Sequence, residues 1–208
     1  MYVFSFCLYN PPNPFYYAGL LENIVLIHDH FPGWVIYVYI GNDVPESFQE
    51  KLQSLGCRLR HTGVYGAVNM VHRFFAIDEP DVDIMLVRDA DSRVHWKDRW
   101  AIQRFLESSY TFHTIRDNPE HRALLMGGLW GMRKIPNLSI RALYEKYKEG
   151  GKEKNQRNND QNFLRTCVYP LARPIMLVHY SHNAVLNVFE HGIQFPFKWS
   201  NDLYCGKN

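Results

Sequence analysis

Short apolar runs alternate with amphipathic stretches along most of this chain, and each change of period marks an element. Residues 2–9 are β-branched and aromatic and stop at Asn10-Pro11-Pro12-Asn13-Pro14, which no helix or central strand can continue. They predict a buried first strand and a loop. From Phe15 to His30 the apolar positions Tyr17, Leu20, Leu21, Ile24 and Ile27 recur at helical spacing, and Phe31-Pro32-Gly33 ends the pattern. Trp34 to Ile40 is a second apolar run, closed by Gly41-Asn42-Asp43. Pro45 to Leu55 reads as a helix, with Pro near its start and Gly56 just past its end.

The alternation continues. Residues 57–62 predict a short strand, Ala67 to Ala76 a helix, and Ile84 to Val87 a buried strand running into Arg88-Asp89-Ala90-Asp91-Ser92. Trp100 to Glu107 reads as a helix, Tyr110 to Ile115 as a strand and Ser139 to Tyr147 as a helix. Asn162 to Cys167 looks helical, and Ile175 to Val178 is a last short strand. Strands alternating with helices predict an α/β layered fold on a mostly parallel sheet. Glu145 to Asn159, with its Gly-Gly pair and mixed charges, reads as a solvated helix end running into a loop.

Composition narrows the class. At 208 residues and 46% hydrophobic content the chain reads as one domain over 1–208 with enough material for a core. The end at Cys205-Gly206-Lys207-Asn208 leaves open that it is the N-terminal domain of a longer polypeptide. Lys plus Arg (23) nearly balances Asp plus Glu (21), which argues against a nucleic-acid or anionic-membrane partner. The four cysteines are scattered and form no C-x-x-C pair, so a reducing compartment is expected. No apolar run approaches the ~20 residues of a membrane span, which makes a cytoplasmic location the expectation.

The most informative chemistry is Asp89-x-Asp91, directly after the apolar strand Ile84–Val87. Ligands of parallel α/β sheets collect beyond the carboxyl ends of the strands. Two carboxylates spaced this way can share one divalent cation, which completes its shell with phosphate oxygens and water. Alone, such a pair is as well explained by a helix cap and an arginine partner. Its context adds weight. Asp117 follows the strand Tyr110–Ile115, Gly127-Gly128 offers backbone that a ligand can approach closely, and Trp130 beside it could stack on a sugar ring. Asp160-Gln161 opens a helical segment, His179 ends an apolar run with His182 three residues on, and Lys198-Trp199 could bring an ammonium to a phosphate.

In that order these features resemble a GT-A-type nucleotide-sugar glycosyltransferase, and within that class the small glycosyltransferase domains of large DNA viruses infecting chlorella-like algae. The resemblance implies a single GT-A-like (Rossmann-type) α/β domain with a mixed, mostly parallel sheet flanked by helices. It implies metal-dependent transfer from a UDP-sugar donor to a glycan acceptor, with retention favoured, in the cytoplasm of an infected host cell. Ser5, Phe6, Leu8 and Tyr9 would hold the uracil and ribose, and Arg73 would contact the diphosphate or donor sugar. Asp89 and Asp91 would bind Mn²⁺ or Mg²⁺ with His179 as third ligand, and Lys198 would neutralise the departing UDP. Gly127, Gly128 and Trp130 would border the donor sugar and acceptor, with Asp117 and Asp160 near the anomeric carbon.

One departure stands out. Related retaining enzymes carry His-x-x-Gly-x-x-Lys after the last strand, whereas this chain has His179-Tyr180-Ser181-His182-Asn183 and no lysine before Lys198, so either histidine is a candidate ligand. A metal-dependent phosphatase or phosphotransferase of the haloacid-dehalogenase type is one alternative, although Arg93 replaces its usual Thr or Val and the motif lies mid-chain. A non-catalytic carbohydrate-binding module is the other.

Overall fold

Tyr2–Leu8 (β1) pairs in parallel with Val35–Ile40 (β2) on one side and Ile84–Arg88 (β4) on the other. A strand hydrogen-bonded along both edges and covered on both faces can be apolar throughout, which is why its sequence shows no polar alternation. The computed structural model describes residues 1–9, 13–151, 158–181 and 191–207. His182 and Asn183, Asn10 to Pro12 of the first loop and residues 152–157 of the Glu145–Asn159 stretch lie outside the described residues.

Five further strands complete the sheet: Arg58–His61 (β3), Phe112–Arg116 (β5), Leu129–Arg133 (β6), Met176–Tyr180 (β7) and Gly192–Gln194 (β8). The order is β3-β2-β1-β4-β6-β5-β7-β8. Every pairing is parallel except those of β6, which runs antiparallel between β4 and β5. The chain is thus a single α/β domain with a mixed, mostly parallel sheet flanked by helices, as the sequence pattern predicts.

The helices divide between the two faces. Pro14–His30 (α1) buries Leu20, Ile24 and Ile27 against Phe4, Phe6 and Leu8 of β1, and Glu46–Ser54 (α2) adds Leu52 to the same cluster. Trp96–Glu107 (α3) places Ile102 there too. On the other face a 3-10 helix, Gly66–Asp78, buries Val71, Phe74 and Phe75 with Val3 and Cys7 of β1. Ile140–Glu149 (α4), Asn159–Phe163 (α5), a π-helical turn at Leu164–Val168 and Tyr169–Ala172 (α6) cover the rest of that face.

Two elements differ from the sequence reading, and the second has a clear cause. The segment 67–76 is 3-10 rather than α-helical. Strand β6 is missed because MGGLWGM carries glycines where strands favour bulky residues. Those glycines answer close approach: a Cβ on Gly131 would strike the Leu86 side chain and the Met85 carbonyl on β4.

Candidate active site

The parallel strands end on one side of the sheet, and there β4 passes into Asp89 and Asp91. The Asp89 carboxylate is 40% exposed and lies against Gly128, where a Cβ would overlap it. Gly128 is therefore needed at that position for its lack of a side chain. Among the described residues, no hydrogen bond or ion pair joins the Asp91 carboxylate to the side chain of another residue. Burial, and then the Asp89 charge beside it, raise its pKa above the ordinary carboxylate value.

Arg73 of the 3-10 helix joins the two sides of the cleft. It is 4% exposed, pairs with Asp89 through Nη1, and donates from Nη2 to Asp160 Oδ2 at 3.3 Å. Burial alone would lower the guanidinium pKa, but the Asp89 and Asp160 charges more than reverse this and keep it protonated. Ser5 fixes the helix that carries Arg73, its buried hydroxyl donating to the Arg73 carbonyl at 2.6 Å. Asp160 also accepts from the Gln161 amide at 2.7 Å. Gln161 in turn clamps the glycine loop, accepting from the Gly127 amide at 3.1 Å and donating to the Leu125 carbonyl at 2.6 Å.

These groups edge a cavity of about 210 Å³ lined by Cys7, Tyr9, Tyr16, Met70, Arg73, Asp89, Ala90 and Asp91. A second hollow of about 210 Å³, lined by Cys7, Leu8, Tyr9, Asn13 and Tyr16, shares three residues with it. Three carboxylates (Asp89, Asp91, Asp160) gather around the Arg73 guanidinium, and Arg93, the other arginine near Asp91, is paired with Glu22, which leaves a surplus of negative charge at a concave, half-dry site. That donor set fits a hard divalent cation on Asp89 and Asp91, whose oxygens are the ligands such ions prefer. Sequence reasoning missed Cys7, Tyr16 and Met70. The alternation of β1 was the available signal, since Ser5, Cys7 and Tyr9 point to the Arg73 side.

Other residues singled out from sequence lie elsewhere. Phe6 points to the opposite face of β1, into the α1 cluster, and Leu8 packs in that cluster while also lining the second hollow. Trp130 is fully buried in the other core cluster, edge-on to Phe74 at 5.4 Å, and has no surface on which a sugar could stack. Asp117 is fully buried in an ion pair with Lys97 at 2.6 Å and accepts from the Cys205 amide at 3.0 Å, which makes it an anchor for the C-terminal segment. Lys198 is exposed, and no contact joins it to Asp89 or Asp91 among the described residues.

His179 is not brought to the aspartate pair. Its Nδ1 shares a hydrogen bond with His113 Nε2 at 2.8 Å, and Trp100 packs edge-on to its ring. Among the described residues one set of three metal-ligating types gathers closely, His95, Asp98 and Cys205. Its donors are already engaged. His95 accepts from the Lys97 amide and meets the Tyr204 carbonyl, while Asp98 pairs with the buried Arg88 at 3.1 Å. This set caps α3.

Burial holds His179 neutral, its pKa lowered to about 3, and burial together with the neighbouring His179 lowers His113 as well. An unfolded histidine titrates near pH ~6.5, so below that pH the unfolded chain binds more protons than the folded one. Stability should fall as the pH drops from about 6.5 toward 3, by about 1.4 kcal/mol per pH unit for His179 alone, with His113 adding in the same direction. Urea titrations at pH 7, 6 and 5 would show this slope, and His179→Gln should flatten it.

No protein-family model matches the chain, and no curated protein sequence matches it. Solved structures do. A glycosyltransferase involved in the glycosylation of the major capsid of PBCV-1 superposes at a TM-score of 0.52 and 14% identity, covering 86% of this chain and 82% of that one. A mannosyltransferase from Pyrobaculum calidifontis, in complex with GDP-Man and Mn²⁺, matches at a TM-score of 0.46 and 14% identity over 70% of this chain and 46% of its own. Residues 1–349 of S. aureus TarS match at 0.45 and 13%, over 78% and 54%. The chain thus spans about half the length of the last two structures. The PBCV-1 enzyme shares its fold.

Proposed function

We propose that this chain is a GT-A-type glycosyltransferase that takes a sugar from a nucleotide diphosphate donor, most simply a UDP-sugar, and passes it to a glycan acceptor. The observation that carries the reading is the junction of Asp89, Asp91, Arg73 and Asp160 where the parallel strands end, beside a two-lobed hollow on the Cys7–Tyr9 side of β1. A fold shared with the PBCV-1 enzyme over most of the chain supports it.

In this reading Asp89 and Asp91 hold Mn²⁺ or Mg²⁺, which would supply charge neutralisation to a leaving diphosphate. Tyr9 and Tyr16 flank the nucleoside, and Ser5 acts one step back by fixing Arg73. Arg73, held between Asp89 and Asp160, is the chain's own cation for the diphosphate. The acceptor oxygen bonds to the anomeric carbon as the bond to the diphosphate oxygen breaks, and the leaving diphosphate oxygen takes that electron pair and accepts the proton of the acceptor hydroxyl. Asp160, held in place by Arg73 and the Gln161 amide, stabilises positive charge on the sugar. Retention suits an arrangement in which this carboxylate is tied to an arginine rather than free to serve as a base. Gly127 and Gly128 leave room at the sugar.

Calorimetric titration of UDP and GDP, with Mn²⁺ and with EDTA, tests the class. Binding of one nucleotide in Mn²⁺ that weakens at least tenfold in EDTA is expected. Equal binding in chelator removes the metal role, and no binding of either nucleotide removes the reading.

A further inference from the structure

Between the loop at residues 122–125 and the helical turn that carries Asp160 lies a pocket of about 490 Å³. That is larger than either lobe of the aspartate hollow and within the usual range for ligand sites. Gln161 belongs to both places. It lines the pocket, while its carboxamide holds Gly127 and Leu125 and its neighbour Asp160 meets Arg73. Gln161 of the pocket wall directly follows Asp160, the carboxylate of the candidate site.

The wall has a distinct chemistry. Ala123, Leu124 and Leu125 give the wall an apolar floor, Arg122, Gln161, Asn162 and Arg165 add two guanidinium groups and two carboxamides, and among the described residues lining the pocket there is neither a carboxylate nor an aromatic ring. The charges are weakly compensated. Arg122 meets Glu120 at 3.3 Å, but both side chains are 70% or more exposed, where water screens such a pair. Arg165 donates to the neutral Asn162 Oδ1 at 3.3 Å. Buried Arg116 supports the outer wall by donating to the Leu124 carbonyl. Neutral sugars are gripped through aromatic faces, which this wall lacks, whereas guanidinium forks suit carboxylate and phosphate oxygens.

We propose that this pocket is the acceptor subsite and that it selects a sugar chain bearing a carboxylate or phosphate group. The assignment to an acceptor rests on the glycosyltransferase reading. The anion preference rests on the pocket alone.

Titrations of trigalacturonate, galactose 6-phosphate, inorganic phosphate and neutral galactotriose test it, on the full chain and on the R122A/R165A variant, with UDP in Mn²⁺ as a separate arm. Both arginines are exposed, so the variant keeps its fold. At low salt at least one charged sugar should bind tenfold or more tighter than galactotriose. The preference should shrink between 50 and 200 mM salt and fall to within twofold in the variant, with nucleotide binding unchanged. Equal binding of charged and neutral sugars, an unchanged preference in the variant, or inorganic phosphate binding as tightly as the charged sugars overturns the proposal. So does displacement of the charged sugars by UDP, which would make the pocket part of the nucleotide site. Failure of UDP and GDP to bind while the sugar preference stands overturns the transferase reading instead.

Discussion

Asp91→Asn should abolish cation-supported nucleotide binding while leaving the fold as stable as before, or slightly more so. The two outcomes come from one fact: the Asp91 carboxylate holds no side-chain partner, and it lies half-buried beside the like charge of Asp89. Neutralising it relieves that repulsion in the metal-free chain and removes one of the two carboxylate charges at the mouth of the cavity. A loss of at least ~100-fold in nucleotide affinity in Mn²⁺, about 2.7 kcal/mol or more, is expected by calorimetry. The melting temperature should hold or rise by a degree or two. Undiminished affinity in the variant would remove Asp91 from the site.

Lys97→Met should have the opposite signature, a large loss of stability arising from a residue outside the cavity. Lys97 and Asp117 are both essentially fully buried and meet at 2.6 Å. Removing the ammonium leaves the Asp117 carboxylate buried without its counter-charge, which costs about 3–5 kcal/mol. For a chain of this length that lowers the melting temperature by roughly 6–20 °C. Replacing both partners, as in Lys97→Met with Asp117→Leu, should recover most of the loss, because no isolated charge then remains. Thermal unfolding of the single and double variants checks this, and an equal loss in both would show that the pair itself, not the stranded charge, holds the region. Hydrogen exchange should also rise at residues 199–207, since Lys97 donates to the Leu203 carbonyl and Asp117 accepts from the Cys205 amide.

Asp117 also shows where sequence reading stops. An aspartate just past a strand looks the same whether it faces a ligand or a buried lysine, and Lys97 lies on a helix whose first turn the hydrophobic pattern did not reveal. Asp89 and Asp91 were legible because position in an α/β sheet and chemistry coincided. His179 misled for the converse reason: it does end an apolar run, but its partner His113 sits on the neighbouring strand β5, a pairing set by register. Trp130 was placed beside the glycines correctly, yet only the pleat decides that its ring turns into the core. Arg73 was found on the right element, whereas its bridge from Asp89 to Asp160 spans residues 16 and 87 positions away in the chain.

Strand β6 has a consequence for assembly. Among the described strands it alone hydrogen-bonds both the N-terminal set, β3-β2-β1-β4, and the C-terminal set, β5-β7-β8. Asp89 and Arg73 come from the first set and its covering helix, whereas Gly128 and Asp160 come from the segments that follow. The working cleft is therefore a seam. Neither half carries it alone, and it comes into being only when the reversed strand β6 has slotted between β4 and β5.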